Sequence, residues 1–397
     1  MTNIAWEIAF IIIGSIICIS FLRRINGTDR LLINFKILYV ISMAINFLVV
    51  EFLGRGAMVF GDGYDYYQRA QFIIDNYGFN LSTMLEFKHF IDVSQSWHFI
   101  ATWEFTLFMG LFSSTRCIAL FHIVLTNLSS IIWIKFFERI GMRKSGLVAA
   151  TILVVSPYIR NFTTPALRDA LVYFLFTVIA LWLEEFYLNK TYKSLIKISI
   201  PLIILVFTRM YTAVAVIAII GILALDEVRL FIISKISYKR VLLLLFIGVC
   251  AVMLFFILVN TDLFNYALSW FYKTNFGIVM IIDIIKRIIN FLYGPFIFHI
   301  FGAQNLYYPS YLSAFIRLLA TPVFIQGILR LRCYKNRKCI YIVLLVPFLI
   351  SLCALSVGKL ESATRQYMNY YPLLCIIYGI GYYKYEDDPL EIDSEGV

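Results

Sequence analysis

The stretch GDGYDYYQRAQ (61–71) gathers two carboxylates, Asp62 and Asp65, one guanidinium, Arg69, and three phenols, Tyr64, Tyr66 and Tyr67. A carboxylate half withdrawn from water takes a proton more readily and can serve as a general base. The flanking glycines allow a tight turn that would present either aspartate just above a membrane. The same residues also read as a polar loop whose tyrosines anchor in a headgroup belt. A divalent cation held by Asp62 and Asp65 is left open as a cofactor, since paired carboxylates at this spacing are weak evidence for one.

Cationic groups recur in four further segments. SPYIRNFTTPALRDALVYF (156–174) carries Arg168 beside Asp169, between two prolines and an apolar run. Asp169 suits a helix N-terminus and Arg168 does not. Arg168 therefore answers to another group: a structural partner such as Asp169 or Glu104, or a bound phosphate, whose geometry the arginine fork matches. FTRMYTA (207–213) holds Arg209 between two apolar runs, with no acid near it in sequence. It reads as a phosphate ligand, as the partner of a distant carboxylate, or as a snorkelling side chain. Arg287 in IKRIINFLYGPFIFHIFG (285–302) and Arg365 in GKLESATRQYMNYYPLL (358–374) are the remaining candidates for an anionic headgroup. Of the four histidines, His98 and His299 are placed to shuttle protons. His122, inside an apolar run, reads as a packing residue. No nucleotide loop, zinc-protease helix or serine elbow is present.

These groups have to be positioned by elements that live in lipid. The chain is 397 residues long, 61% hydrophobic and only 15% charged, where soluble domains carry about a quarter charged residues. The apolar runs do not alternate with period two, so the spanning elements are α-helices. The net charge of +10 does not indicate nucleic acid, because the basic residues sit in short clusters between apolar runs, at 23–36, 135–144, 190–197, 229–240 and 330–338. Such clusters mark cytoplasmic loops. The seven cysteines form no CxxC pair and read as packing residues.

The expected fold is all-α and polytopic, a single transmembrane domain over 1–383 with about ten or eleven spans. The spans are expected near 4–22, 37–53, 117–134, 146–157, 170–188, 197–208, 210–225, 241–259, 311–329, 339–357 and 367–383. External loops fall at 54–97, 157–169, 260–310 and 358–366. The first run is a retained span, which leaves the N-terminus external and the acidic tail 384–397 cytoplasmic. The apolar run 98–112 is expected at the outer interface as an amphipathic or re-entrant helix, and 278–301 likewise. The candidate acids and arginines thus collect at the external edge of the bilayer, where ionisable groups mark functional sites by default.

The order of these motifs resembles the C-type (GT-C) membrane glycosyltransferases, especially glycosyltransferase family 39. Members show an external acidic motif with tyrosines (here GDGYDYYQRA), then an interfacial helix and an arginine opening the next span (WHFIATWEFTLFMGLFSSTRCIALF, with Arg116). A span ending in Ser-Pro with a polar pair opening the next helix follows (SPYIRNFTTPALRDALVYF), and a late arginine–tyrosine–proline stretch comes last (TRQYMNYYPLL). The chain departs from family 39 in lacking the adjacent Asp-Glu pair and a soluble external domain. Its LRD, FTRMY and FLYGPF elements look more like the small O-antigen, or repeat-unit, polymerases of bacteria.

Both resemblances imply a GT-C-like fold in a bacterial inner membrane and a sugar donor on a polyprenyl phosphate or pyrophosphate. They imply membrane lipid, and polysaccharide-assembly proteins, as partners. The implied activity is repeat-unit polymerisation at the external face; transfer of a single sugar from a polyprenyl-phosphate donor is the alternative. Asp62 or Asp65 would act as base, with Arg69, Arg168, Arg209, Arg287 and Arg365 toward phosphate. A lipid-linked oligosaccharide flippase is the reading from another class, but no internal repeat supports it.

Overall fold

The computed structural model describes residues 2–52, 62–94, 99–189, 193–209, 212–221, 308–331, 368 and 371–383. Among the described residues there is no strand. Four helices are long and apolar enough to cross a membrane, or up to six if each of two bent pairs counts as one span. The protein is therefore a multi-helix protein with spans suited to lipid. The expected spans at 241–259 and 339–357 lie outside the described residues.

Helices α1 (Thr2–Arg23) and α2 (Arg30–Phe52) match the first two expected spans. On α1, Ile8, Ile12 and Ile16 recur every fourth residue and are each more than half exposed. An apolar stripe without a protein partner is the face a spanning helix turns to lipid. Further along, α3 (Asp62–Tyr77), α4 (Leu81–Leu85), α5 (Phe87–Ser94) and α6 (Phe99–Phe112) precede α7 (Thr115–Arg139). α7 is the central post, with α1, α2, α6, α8 (Arg143–Val155) and α10 (Asp169–Asn189) packed around it. Its buried polar residues close their own hydrogen bonds: Thr126 Oγ1 donates to His122 O, Asn127 Nδ2 to Ile123 O and Ser129 Oγ to Leu125 O, all at 2.8–2.9 Å. Such back-bonding lets polar side chains sit in an apolar interior.

Three expectations change. The segment 62–71 is helical rather than a turn: it belongs to α3, whose Gly63, Tyr66, Ala70 and Ile73 are buried. This is a helical spacing, and it overrides the local glycine signal. The expected helix over 98–112 is described from Phe99 to Phe112, and of the two forms expected for it the amphipathic one does not hold. α6 buries Ala101, Thr102, Glu104, Phe105, Thr106 and Phe108, on more than one side, because α3, α5, α7 and α11 (Lys193–Thr208) all pack on it. A helix that is apolar all round belongs inside. The expected span 311–329 is bent by 65° between α13 (Tyr308–Leu319) and α14 (Thr321–Leu331). Pro322 has no N–H to give to a continuous helix and disfavours helical backbone at the residue before it.

The short expected span 146–157 resolves similarly. α8 (Arg143–Val155) and α9 (Pro157–Thr163) meet at 52°, with Pro157 opening the second helix, where a missing N–H costs nothing. α10 (Asp169–Asn189), α11 (Lys193–Thr208) and α12 (Thr212–Gly221) follow, and α15 (Tyr371–Tyr382) packs on α8 and α14. The approach of α15 is close. A Cβ at Gly379 would meet the Ser145 carbonyl oxygen and one at Gly381 the Val323 carbonyl oxygen. Small residues that admit a neighbouring backbone are characteristic of helix contacts in lipid.

The two ends of the bundle differ in charge. At one end Arg143 Nη2 donates to Asn26 O at 2.7 Å and lies 3.5 Å from Asp29. Arg139 meets Glu184 at 3.2 Å, Lys197 lies 3.8 Å from Glu185, and Arg330 Nη1 donates to Gly381 O and Tyr383 O at 2.9 Å. Four of the basic clusters read in the sequence thus sit at the same helix ends. The opposite end, where α1 begins and α2 ends, holds Glu7, Glu51, Asp62, Arg116, Arg168, Asp169 and Arg209.

Candidate functional site

The site is built where three helix ends converge. Asp62 and Asp65 occupy the first turn of α3, a position that the helix dipole favours for carboxylates. Tyr66 follows Asp62 by one turn and is 1% exposed. Packing of Tyr66 on Phe105 of α6, at 5.8 Å between ring centroids, fixes the head of α3.

Arg168 stands immediately before α10. Its Nη1 donates to the carbonyl of Thr208 at 2.9 Å, and its Nη2 faces the Asp62 carboxylate at 3.7 Å. The guanidinium also lies over the Tyr66 ring, 5.7 Å from its centroid. Thr208 is the last residue of α11, so its carbonyl carries the negative end of that helix. A cation at a helix N-terminus is unfavourable; the α11 terminus and Asp62 offset that cost. The Asp62 side chain remains 39% exposed while that of Arg168 is 9% exposed. A fixed buried cation therefore sits under an accessible carboxylate. The separation of 3.7 Å is longer than a charge-assisted hydrogen bond, so the contact is coulombic.

Arg209 has a different role. It lies 2.6 Å from Asp169, and the two side chains are 4% and 1% exposed. The acid that the sequence could not supply locally comes from the start of α10. Glu104, weighed as a partner for Arg168, meets His122 instead: Nε2 to Oε1 is 3.0 Å and both residues are buried. His122 thus packs in the interior with its own acid.

Asp65 and Asp62 are separated by this arrangement. Asp65 is exposed, and Arg69 on the next turn is half-buried. His98, His299, Arg287 and Arg365 lie outside the described residues. Among the described residues no three His, Cys, Asp or Glu side chains gather as a metal site, and the charge beside Asp62 is the guanidinium of Arg168.

Sequence reasoning passed over one buried cation. Arg317 is 4% exposed inside α13 and lies over the ring of Tyr371 at 5.8 Å; Tyr371 Oη also accepts from Ser156 Oγ at 3.2 Å. The SPY and YYP motifs, far apart in sequence, therefore meet. An ionisable residue isolated in an apolar run was the available signal for Arg317. Arg116, read in the sequence as the arginine that opens a span, lies 3.6 Å from Glu7 and 3.8 Å from Glu51.

No protein-family model matches the chain, and no curated protein matches it in sequence.

Proposed function

We propose that the protein is an integral-membrane glycosyltransferase of surface-polysaccharide assembly that uses a sugar carried on a polyprenyl phosphate or pyrophosphate, and that it polymerises lipid-linked repeat units. The observation that supports this reading is the accessible Asp62 carboxylate set beside the anchored Arg168 guanidinium, at the end of an apolar helix bundle. A polyprenyl carrier stays in the bilayer, so its headgroup is met only at such an end.

In the proposed reaction the acceptor hydroxyl oxygen forms a bond to the anomeric carbon. The bond from that carbon to the phosphate oxygen breaks, and the phosphate leaves with the electron pair. Asp62, ionised, takes the proton from the hydroxyl. Arg168 stabilises the charge that develops on the leaving phosphate. Carboxylate charge also favours the oxocarbenium-like transition state common to glycosyl transfer. Arg209 serves in this reading by neutralising Asp169 and holding the head of α10, which carries Arg168.

The test is the banding pattern of surface polysaccharide from cells that lack the protein, complemented with wild type, Asp62→Asn or Asp65→Asn at equal membrane levels. Loss of the long ladder in the deletion, restored by wild type and Asp65→Asn but not by Asp62→Asn, is the expected result. A ladder unchanged by deletion overturns the pathway. A ladder of full length shifted by one sugar per band makes the protein a single-sugar transferase.

A further inference from the structure

Helix α3 has a second working face. Tyr64, Tyr67, Gln71 and Ile74 follow one another at helical spacing and line a cavity of about 840 Å³. The opposite wall is formed by Ile4 and Glu7 of α1, Met109 of α6, and residues 113–116. The volume falls among small-molecule sites, which run to about 300–1,000 Å³.

The polar part of the wall is built and held. Glu7 is 6% exposed, although it sits in a helix that otherwise turns isoleucines to lipid. One of its oxygens accepts from Ser114 Oγ at 2.7 Å and the other lies 3.6 Å from Arg116 Nη1. Ser114 in turn accepts from the Arg116 backbone N–H at 3.2 Å, as the N-cap of α7. Behind them Trp6, Phe10, Phe108 and Phe112 interlock at centroid distances of 5.0–5.7 Å. A buried carboxylate is costly and persists only where its partners are fixed.

The chemistry of the wall selects a ligand class. Arg116 lies 3.6 Å from Glu7 and 3.8 Å from Glu51, so its guanidinium is already held by carboxylates rather than presented to a phosphate. Two phenol rings, the Gln71 amide, the Ser114 hydroxyl, a carboxylate and a guanidinium supply donors, acceptors and apolar ring faces together. That combination suits an uncharged, polyhydroxylated ring. We infer that this cavity binds the glycan of the acceptor away from its reacting hydroxyl, while the opposite flank of α3, with Asp62 and Arg168, receives the reacting end and the phosphate. The inference rests on the transferase reading, and one helix would then set the distance between acceptor and base.

The experiment uses the full chain in lipid nanodiscs. The probe is the lipid-free oligosaccharide released by mild acid from the surface polysaccharide of the source cell, with inorganic pyrophosphate as competitor. Gln71 is exposed and Tyr67 is half-buried against the cluster around Phe105 and Ile118, so Gln71→Ala spares the core and Tyr67→Phe keeps the ring packing while removing the hydroxyl. Each is expected to weaken oligosaccharide binding by about tenfold, the scale of one lost hydrogen-bond contact. Pyrophosphate is expected not to compete. No binding to wild type, binding unchanged in both variants, or displacement by pyrophosphate overturns the subsite. If the oligosaccharide binds as expected while Asp62→Asn supports a full ladder, the catalytic reading falls and the cavity stands as a glycan site. If Asp62→Asn abolishes the ladder and the variants bind normally, only the subsite falls.

Discussion

Arg168 and Arg209 cross-link the same two helix ends in opposite senses. Arg168, at the start of α10, donates to the carbonyl of Thr208 at 2.9 Å, and Arg209, just beyond that threonine, lies 2.6 Å from Asp169. The dipeptides 168–169 and 208–209 thus clasp each other. One arginine of the clasp is closed in with a carboxylate. The other keeps its second amine toward Asp62.

The first consequence concerns stability. Arg209→Ala leaves the carboxylate of Asp169 in a site that is 1% exposed, and breaking a buried pair in this way costs about 3–5 kcal/mol. Thermal unfolding of the purified protein should show a marked fall in Tm, and the double variant Arg209→Met/Asp169→Leu should recover much of it. A wild-type Tm for Arg209→Ala would show that the pair is not structural.

Arg168→Lys should separate charge from shape. Lysine keeps the positive charge but lacks the fork that reaches Thr208 and Asp62 together. The protein should accumulate in the membrane with little loss of Tm while the polysaccharide ladder shortens or disappears. Full activity of the lysine variant would mean that a point charge is enough.

The interior acid–histidine contact should be measurable by a double-mutant cycle. Glu104 and His122 are 3.0 Å apart and buried. Their coupling in Glu104→Gln, His122→Leu and the double variant should fall within about 0.5–3 kcal/mol. A coupling of zero would mean that the pair contributes nothing to the packing of α6 on α7.

The close seat of α15 predicts intolerance to volume. Gly381→Val places a branched side chain against the Val323 carbonyl, and overpacking of this kind costs about 1–3 kcal/mol or more. Faster proteolysis of the variant in detergent, with α14 and α15 released together, is the expected readout. Wild-type resistance would place α15 further from α14 than the structure does.

The charge difference between the two ends predicts opposite labelling. Arg24 and Asp65 are both exposed, one near the α1–α2 turn and the other on α3. With the native cysteines replaced, Asp65→Cys should react with an impermeant maleimide in intact cells and Arg24→Cys only after permeabilisation. Reaction of both from one side would break the assignment of the basic clusters to one face.

Much of the architecture was written into the chain locally. The continuous apolar runs dictate helices because lipid offers the backbone no hydrogen-bond partner. Four basic clusters foretold which helix ends lie together. The acids and arginines worth watching were also visible, since an ionisable group in an apolar run needs a reason. Composition and charge did not decide their partners. Arg209 had no acid near it in sequence and found Asp169 because α10 and α11 are antiparallel neighbours. Asp62 and Asp65 were equivalent on paper. The rotation of α3, set by Tyr66 against Phe105, turned one to Arg168 and the other to solvent. The same rotation aimed Tyr64, Tyr67 and Gln71 at Glu7 and Arg116. Hydropathy is a property of neighbours along the chain, whereas a site depends on helix azimuth and pairing, which only the packing of the whole bundle determines.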